Sequence, residues 1–228
     1  MEWFFRIIMI KKMKIISIND LSFSYQNKII FKNVNLEIET DKITFLTGKN
    51  GSGKTTFCRI LSGLENNFKG RILFEDKDVT KQKVYEKAKQ ITFLKQEPLA
   101  NLIASTPEEE LAIWQNKFLA KDSHKQQNER NNILNQFDLL LLKDEPIWEL
   151  SSGQLKRIGI SALNLEWKKF WILDEPTAGL DHVQIEKLKN IFQTRRNNGF
   201  GALIVSHRED LFREYSDKIL RINNFQIL

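Results

Sequence analysis

Three short segments carry residue types suited to phosphate chemistry. The first, Gly48-Lys49-Asn50-Gly51-Ser52-Gly53-Lys54-Thr55, fits the pattern GxxxxGK[ST]. Glycines at these spacings permit a turn whose successive backbone N–H groups point inward and ring an anion. A helix starting directly after the loop adds unpaired donors and a partial positive charge. In such a loop Lys54 reaches the terminal phosphates of a nucleoside triphosphate, and the Thr55 hydroxyl ligates Mg²⁺. The second segment is Asp174-Glu175, placed directly after the apolar run Phe170-Trp171-Ile172-Leu173. Carboxylates at the C-terminal end of a buried strand suit a hydrolytic site, with Asp174 on Mg²⁺ and Glu175 polarising the attacking water. The third is Ser151-Ser152-Gly153-Gln154. A serine hydroxyl and backbone N–H groups at a helix start either meet a phosphate or simply cap the helix.

These residues need strands that end together. Ile43-Thr44-Phe45-Leu46 reads as a buried strand entering the glycine loop, and residues 56–61 as the helix leaving it. Further buried strands are expected at 91–94, 170–173 and 201–205, with helices from 153 to about 165 and over 183–198. Residues 14–24, 32–39 and 70–74 alternate apolar and polar, as half-buried antiparallel strands do. Residues 107–142 read as helical, with Thr106 as an N-cap, Pro107 in the first turn and Glu108, Glu109 and Glu110 near the positive end of the dipole. A short helix near 208–215 and strands at 218–222 and 225–228 complete the pattern. The alternation implies an α/β fold with a mainly parallel sheet core, an N-terminal antiparallel β-subdomain and an inserted α-helical subdomain at about 97–165.

Composition narrows the function classes. With 228 residues, 41% hydrophobic and 28% charged, the chain suits one substantial domain with a small subdomain. The net charge of +6 comes from scattered lysines without a dense basic tract, so no nucleic-acid partner is expected, and the charge reads as general solubility or as mild attraction to a membrane surface. No apolar run is long enough to span a bilayer. The single cysteine, Cys58, cannot form an internal disulfide, which fits a reducing, cytoplasmic setting and a core thiol. The apolar residues 1–10 lack a basic leader and a cleavage site. The segment 1–13 reads either as an amphipathic arm or as sequence upstream of a start at Met9 or Met13.

Leu150-Ser151-Ser152-Gly153-Gln154 resembles the signature motif of ATP-binding-cassette (ABC) ATPases, with Ser152 where the family has glycine. The resemblance covers residues 14–228. Tyr25 resembles the aromatic residue that stacks on adenine, although its ring would equally suit a core. Gln96 resembles the glutamine between the catalytic and helical lobes that senses Mg²⁺ and the γ-phosphate. Ala178-Gly179-Leu180-Asp181 resembles the loop crossing the dimer interface, and His207 the switch histidine near the γ-phosphate.

The resemblance implies an ATPase that uses ATP and Mg²⁺. Tyr25, Gly48, Asn50, Gly51, Ser52, Gly53, Lys54, Thr55 and Thr56 would hold the nucleotide. Ser151, Gly153, Gln154 and Asp181 of a second ABC subunit would complete that site in a head-to-tail homo- or heterodimer. Thr55, Gln96 and Asp174 would hold Mg²⁺, and Lys54, Gln96, Glu175 and His207 would serve catalysis. Residues 97–112 and 146–150, with Pro176-Thr177-Ala178-Gly179-Leu180-Asp181, are similar to the energy-coupling-factor and cobalt-type importer ATPases. Two departures are His182 in place of a usual proline and an end at Leu228, where many such proteins carry an extension. The implied role is transport of a vitamin or metal ion, at the cytoplasmic face of the membrane, through a separate integral membrane subunit. The alternative is a soluble ABC ATPase in cluster assembly or nucleic-acid repair. Apolar residues over 99–114, with Glu97 and Leu102 as test positions, read either as the docking groove for that membrane subunit or as core.

Overall fold

The computed structural model describes residues 15–115 and 124–228. The expected arm at 1–13, the expected strand start at Lys14 and part of the helical stretch over 107–142 lie outside the described residues. The described residues open with β1 (Ile15–Tyr25) and β2 (Lys28–Glu39), antiparallel across a two-residue turn at Gln26 and Asn27. It continues through β3 (Ile43–Gly48), α1 (Lys54–Ser62), β4 (Lys69–Phe74) and β5 (Lys77–Asp78). After α2 (Val84–Lys87) and β6 (Ile91–Leu94) comes a helical interval with α3 (Pro107–Gln115), α4 (His124–Gln136) and α5 (Ser152–Leu163). The remainder is β7 (Phe170–Asp174), α6 (His182–Asn197), β8 (Ala202–Val205), α7 (Glu209–Phe212), β9 (Lys218–Asn223) and β10 (Gln226–Ile227).

One sheet has the order β2-β1-β4-β5 and is antiparallel. The other has the order β10-β9-β3-β8-β7-β6 and is parallel except for the β9–β10 hairpin. Strands β3, β7 and β8 are buried almost throughout and mainly apolar, because both faces of the sheet are covered. Successive residues feed opposite cores. Leu46, Ile172, Leu203 and Val205 pack with α1 and the antiparallel sheet, whereas Phe45, Trp171, Leu173 and Ile204 pack with α5 and α6. Cys58 is fully buried in the first of these cores, and burial pushes its thiol pKa well up, as befits a packing residue.

The stretch expected to be helical over 107–142 is interrupted before its end. Asp138 adopts φ 55 and stops α4. Around it Asp138 N donates to Asn135 O and Leu139 N to Leu134 O, and both leucines are fully buried, which makes a Schellman end. A 3₁₀ turn at Leu140–Leu142 follows. Likewise α5 and α7 run into 3₁₀ turns at Asn164–Glu166 and Arg213–Tyr215, and β2 starts earlier than the alternation suggests.

The acidic first turn of α3 is used locally. Fully buried Glu110 accepts from the N–H groups of Ile103 and Ala104, at 2.8 and 2.9 Å, and from Trp114 Nε1. Glu108 pairs with buried Arg130 at 2.7 Å, joining α3 to α4. The apolar residues over 99–114 are accordingly part core and part exposed. Leu111 is buried, with Leu102 and Trp114 packed against the same core, whereas Leu99, Ile103 and Ile113 face solvent. Leu102 is thus a packing residue, and Ile103, 75% exposed, is the better probe of docking.

Candidate active site

The register of the parallel strands brings the sequence-predicted residues together. Leu46 and Asp174 both lie level with Val205, and Leu94 lies level with Leu173. The chain therefore leaves β3 into the glycine loop, β6 toward Gln96, β7 at Asp174-Glu175 and β8 toward Ser206-His207 along one edge. That edge is where ligands bind in open α/β sheets. A cavity of about 570 Å³ opens there. Its wall includes Asn50, Gly51, Gly53, Lys54, Thr55 and Thr56 of the loop, faced by Gln96, Asp174, Glu175 and His207. Tyr25 stands at its mouth, 43% exposed and edge-on to Phe23 at 4.7 Å, so its ring is not part of the core. Lys28 and Ile30, which the sequence did not single out, also line it.

Gly53 shows why the loop sequence is restricted. Its φ of +109 suits glycine, and a Cβ there would lie 2.5 Å from Ile30 Cγ2. Buried Lys54 begins α1 and curls inside the loop, its Nζ donating to Gly48 O at 2.7 Å and Lys49 O at 3.2 Å. Gly48 and Ser52 sit on the other side of the loop, against a second cavity of about 680 Å³ toward Arg221 and Phe225.

The carboxylates are arranged differently from each other. Asp174 is buried, and its carboxyl is held above the usual range by loss of hydration, against the Thr55 hydroxyl that bonds it. Its Oδ2 is buried without a partner. An oxygen-only set of this kind, Asp174 beside a threonine hydroxyl with the Gln96 amide across the cavity, fits a hard divalent cation such as Mg²⁺. Glu175 is instead fully engaged. Its Oε2 accepts from Ser206 Oγ at 2.7 Å, and its Oε1 accepts from His207 N and meets His207 Nδ1, both at 3.0 Å. Its φ of 48 is strained for a non-glycine residue, and the Glu175 N–H donated to Val205 O helps hold it. Ser206, fully buried, is a supporting residue whose sequence signal was only its place before His207.

Ser151, Gly153, Gln154 and Asp181 do not line this cavity among the described residues. Ser151 and Gln154 form a capping box on α5, with Ser151 N donating to Gln154 Oε1 at 2.7 Å and Gln154 N to Ser151 Oγ at 3.3 Å. Asp181 caps α6 by accepting from Gln184 N at 2.9 Å. A Cβ on Gly153 would lie 2.6 Å from Gly179 O, so the start of α5 and the 178–181 loop pack backbone to backbone.

The family model described as ABC transporter matches residues 31–178. The chain is 31% identical over 209 residues to the energy-coupling factor transporter ATP-binding protein EcfA1 of Thermotoga maritima, covering 92% of this chain and 78% of that protein. It is 27% identical to the putative HMP/thiamine import ATP-binding protein YkoD of Bacillus subtilis, over 92% of this chain but only 38% of that protein's length. Among solved structures, cbiO1 from Clostridium perfringens, part of the transporter complex cbiONQ, superposes with a TM-score of 0.77 at 26% identity, over 95% of this chain and 87% of that one. The ATP-binding cassette MJ0796, solved as a dimer bound to ADP and Pi, shares the fold with a TM-score of 0.81 at 21% identity, over 93% and 96%. The family match runs from β2 through the glycine loop to the carboxylates of β7, so the chain belongs to the ABC transporter family, as an ATP-binding ATPase subunit.

Proposed function

We propose that this subunit drives an energy-coupling-factor-type importer of a vitamin or metal ion, working at the cytoplasmic face of the membrane. The observation that carries the reading is the convergence of Lys54, Gln96, Asp174, Glu175 and His207 on one cavity, in a chain aligned over most of its length with an energy-coupling factor ATPase. Tyr25 stacks the adenine at the mouth, and the 48–56 backbone with Lys54 surrounds the phosphates. Thr55, Asp174 and Gln96 hold Mg²⁺, which when bound neutralises charge on the phosphates. Glu175, oriented by Ser206 and His207, positions the water that attacks the γ-phosphorus as ADP leaves. Ser151, Gly153, Gln154 and Asp181 of a second ABC subunit complete the site, so ATP binding closes a dimer. A helical subdomain over about 97–165 carries Ser151, Gly153 and Gln154 and presents the exposed Leu99, Ile103 and Ile113 to an integral membrane subunit. No helix among the described residues is long and apolar enough to cross a membrane.

The test is purification from detergent-solubilised membranes of the source cell. An integral membrane protein is expected to co-purify with the wild-type chain. Ile103→Asp should lose it while keeping ATPase activity. Recovery of the chain free of any membrane protein, with Ile103→Asp unchanged, would overturn the transport reading.

A further inference from the structure

Lys156 stands on the buried face of α5, between Leu155 and Ile158, and is only 1% exposed. An ammonium loses its hydration there, and burial lowers its pKa against the opposing carboxylates of Asp174, Glu97 and Glu175. Its short hydrogen bond nevertheless goes to a backbone carbonyl. Nζ donates to Gln96 O at 2.6 Å, with Lys95 O at 3.5 Å. The same segment is also gripped by Asn101. Its Oδ1 accepts from Lys95 N at 2.7 Å, and its Nδ2 donates to Lys95 O and Glu97 O, both at 3.0 Å. Helix α5 lies directly on this clamp, since a Cβ on Gly159 would come within 2.9 Å of Leu94 and 3.7 Å of Asn101.

We propose that Lys156 is a positioning residue for Gln96, tying α5 to the glutamine at the wall of the nucleotide cavity. The proposal rests on the reading of Gln96 as a residue that meets Mg²⁺ and the γ-phosphate. A charged lysine is costly at a site where a leucine would pack, and one charge-assisted hydrogen bond to the Gln96 backbone gives that charge a purpose.

The experiment is a double-mutant cycle on the full chain, with Lys156→Met, Gln96→Ala and the pair, read as kcat, KM for MgATP and affinity for fluorescently labelled ATP. Lys156→Met should lower kcat about tenfold, the scale of one lost charge-assisted hydrogen bond, while nucleotide affinity stays within about twofold. The pair should be no slower than Gln96→Ala alone, because both act through one side chain. Lys156→Arg, which restores the donor, should recover most of the loss. Losses that add in the pair, or a Lys156→Met enzyme with wild-type kcat, would overturn the proposal. If Lys156→Met does not fold, Lys156→Gln enters the same cycle. A Gln96→Ala enzyme with wild-type kcat sinks the reading of Gln96 itself, and that failure is visible in the single variant.

Discussion

At the carboxyl edge of the parallel sheet, four adjacent strands deliver loop, amide, carboxylates and imidazole into one concavity, while the start of α5 delivers Ser151 and Ser152 outward to solvent. The two regions also differ in what their polar groups have left to give. In the cavity Asp174 Oδ2 is buried without a partner, and the Lys54 ammonium rests on the loop's own carbonyls. On α5 the Ser151 hydroxyl accepts from the Gln154 backbone N–H, and the Gln154 side-chain oxygen accepts from the Ser151 backbone N–H. A concave site with unspent bonding capacity bears a stability cost that a ligand removes. A convex site closed on itself is stable alone and needs only exposure to serve a neighbour. That difference is what the proposed dimer requires, in which the two phosphate-recognition motifs of this chain would serve two different copies of the site.

The sharpest way to break that contrast is at Glu175, whose carboxylate is the best-held group of the cavity. Glu175→Gln keeps an acceptor for Ser206 but loses the charge that orients water. Turnover should fall by at least about 10²-fold, the scale of removing one preorganised electrostatic contact. ATP binding should survive, and with ATP the variant should elute at the dimer mass in gel filtration. Wild-type-like hydrolysis would remove Glu175 from the mechanism, and a monomer at every ATP concentration would remove the second copy.

Asp174 tests the stability side. Its folded pKa is raised, so the folded chain holds the proton better than the unfolded one does. Stability is therefore lost as pH rises through the ordinary value of 3.8 toward the raised one. Asp174→Asn removes the charge. It should raise Tm at pH 7 without Mg²⁺ by roughly 2 °C, while Mg²⁺-dependent hydrolysis falls about tenfold or more. Excess MgATP should raise the wild-type Tm more than that of the variant. A lower Tm for Asp174→Asn in metal-free buffer would show that the buried carboxylate carries no such cost.

Much of the cavity was legible in the sequence because its motifs are short and contiguous. The glycine loop, Asp174-Glu175 and the run before His207 each declare a strand end, and parallel register did the rest. The helical interval was legible only in outline. A left-handed Asp138 between apolar residues carries no periodic signal, so the break after α4 was invisible. Lys156 was hidden for a related reason. A lysine in an otherwise apolar helix face reads as a boundary of the face, and only the fold places a carbonyl of residue 96 above it. The role of Glu110 was hidden in the same way, since an acid in a first turn suggests the helix dipole rather than two loop N–H groups and a tryptophan.

The smallest effect is the most discriminating one for α5. Ser151→Ala removes the cap and should cost about 1 kcal/mol of stability, seen as a small fall in Tm. That result alone fits a residue that only starts a helix. Ser151→Asp separates the two roles, because aspartate caps as well as serine but presents a carboxylate where a neighbour's phosphate would arrive. Stability should return in Ser151→Asp while hydrolysis falls below that of Ser151→Ala, by a few-fold from like-charge repulsion of about 1 kcal/mol. If Ser151→Asp instead hydrolyses ATP as the wild type does, the hydroxyl never meets a phosphate. The contrast between a concave half-site and a convex one would then reduce to a cavity and a well-capped helix.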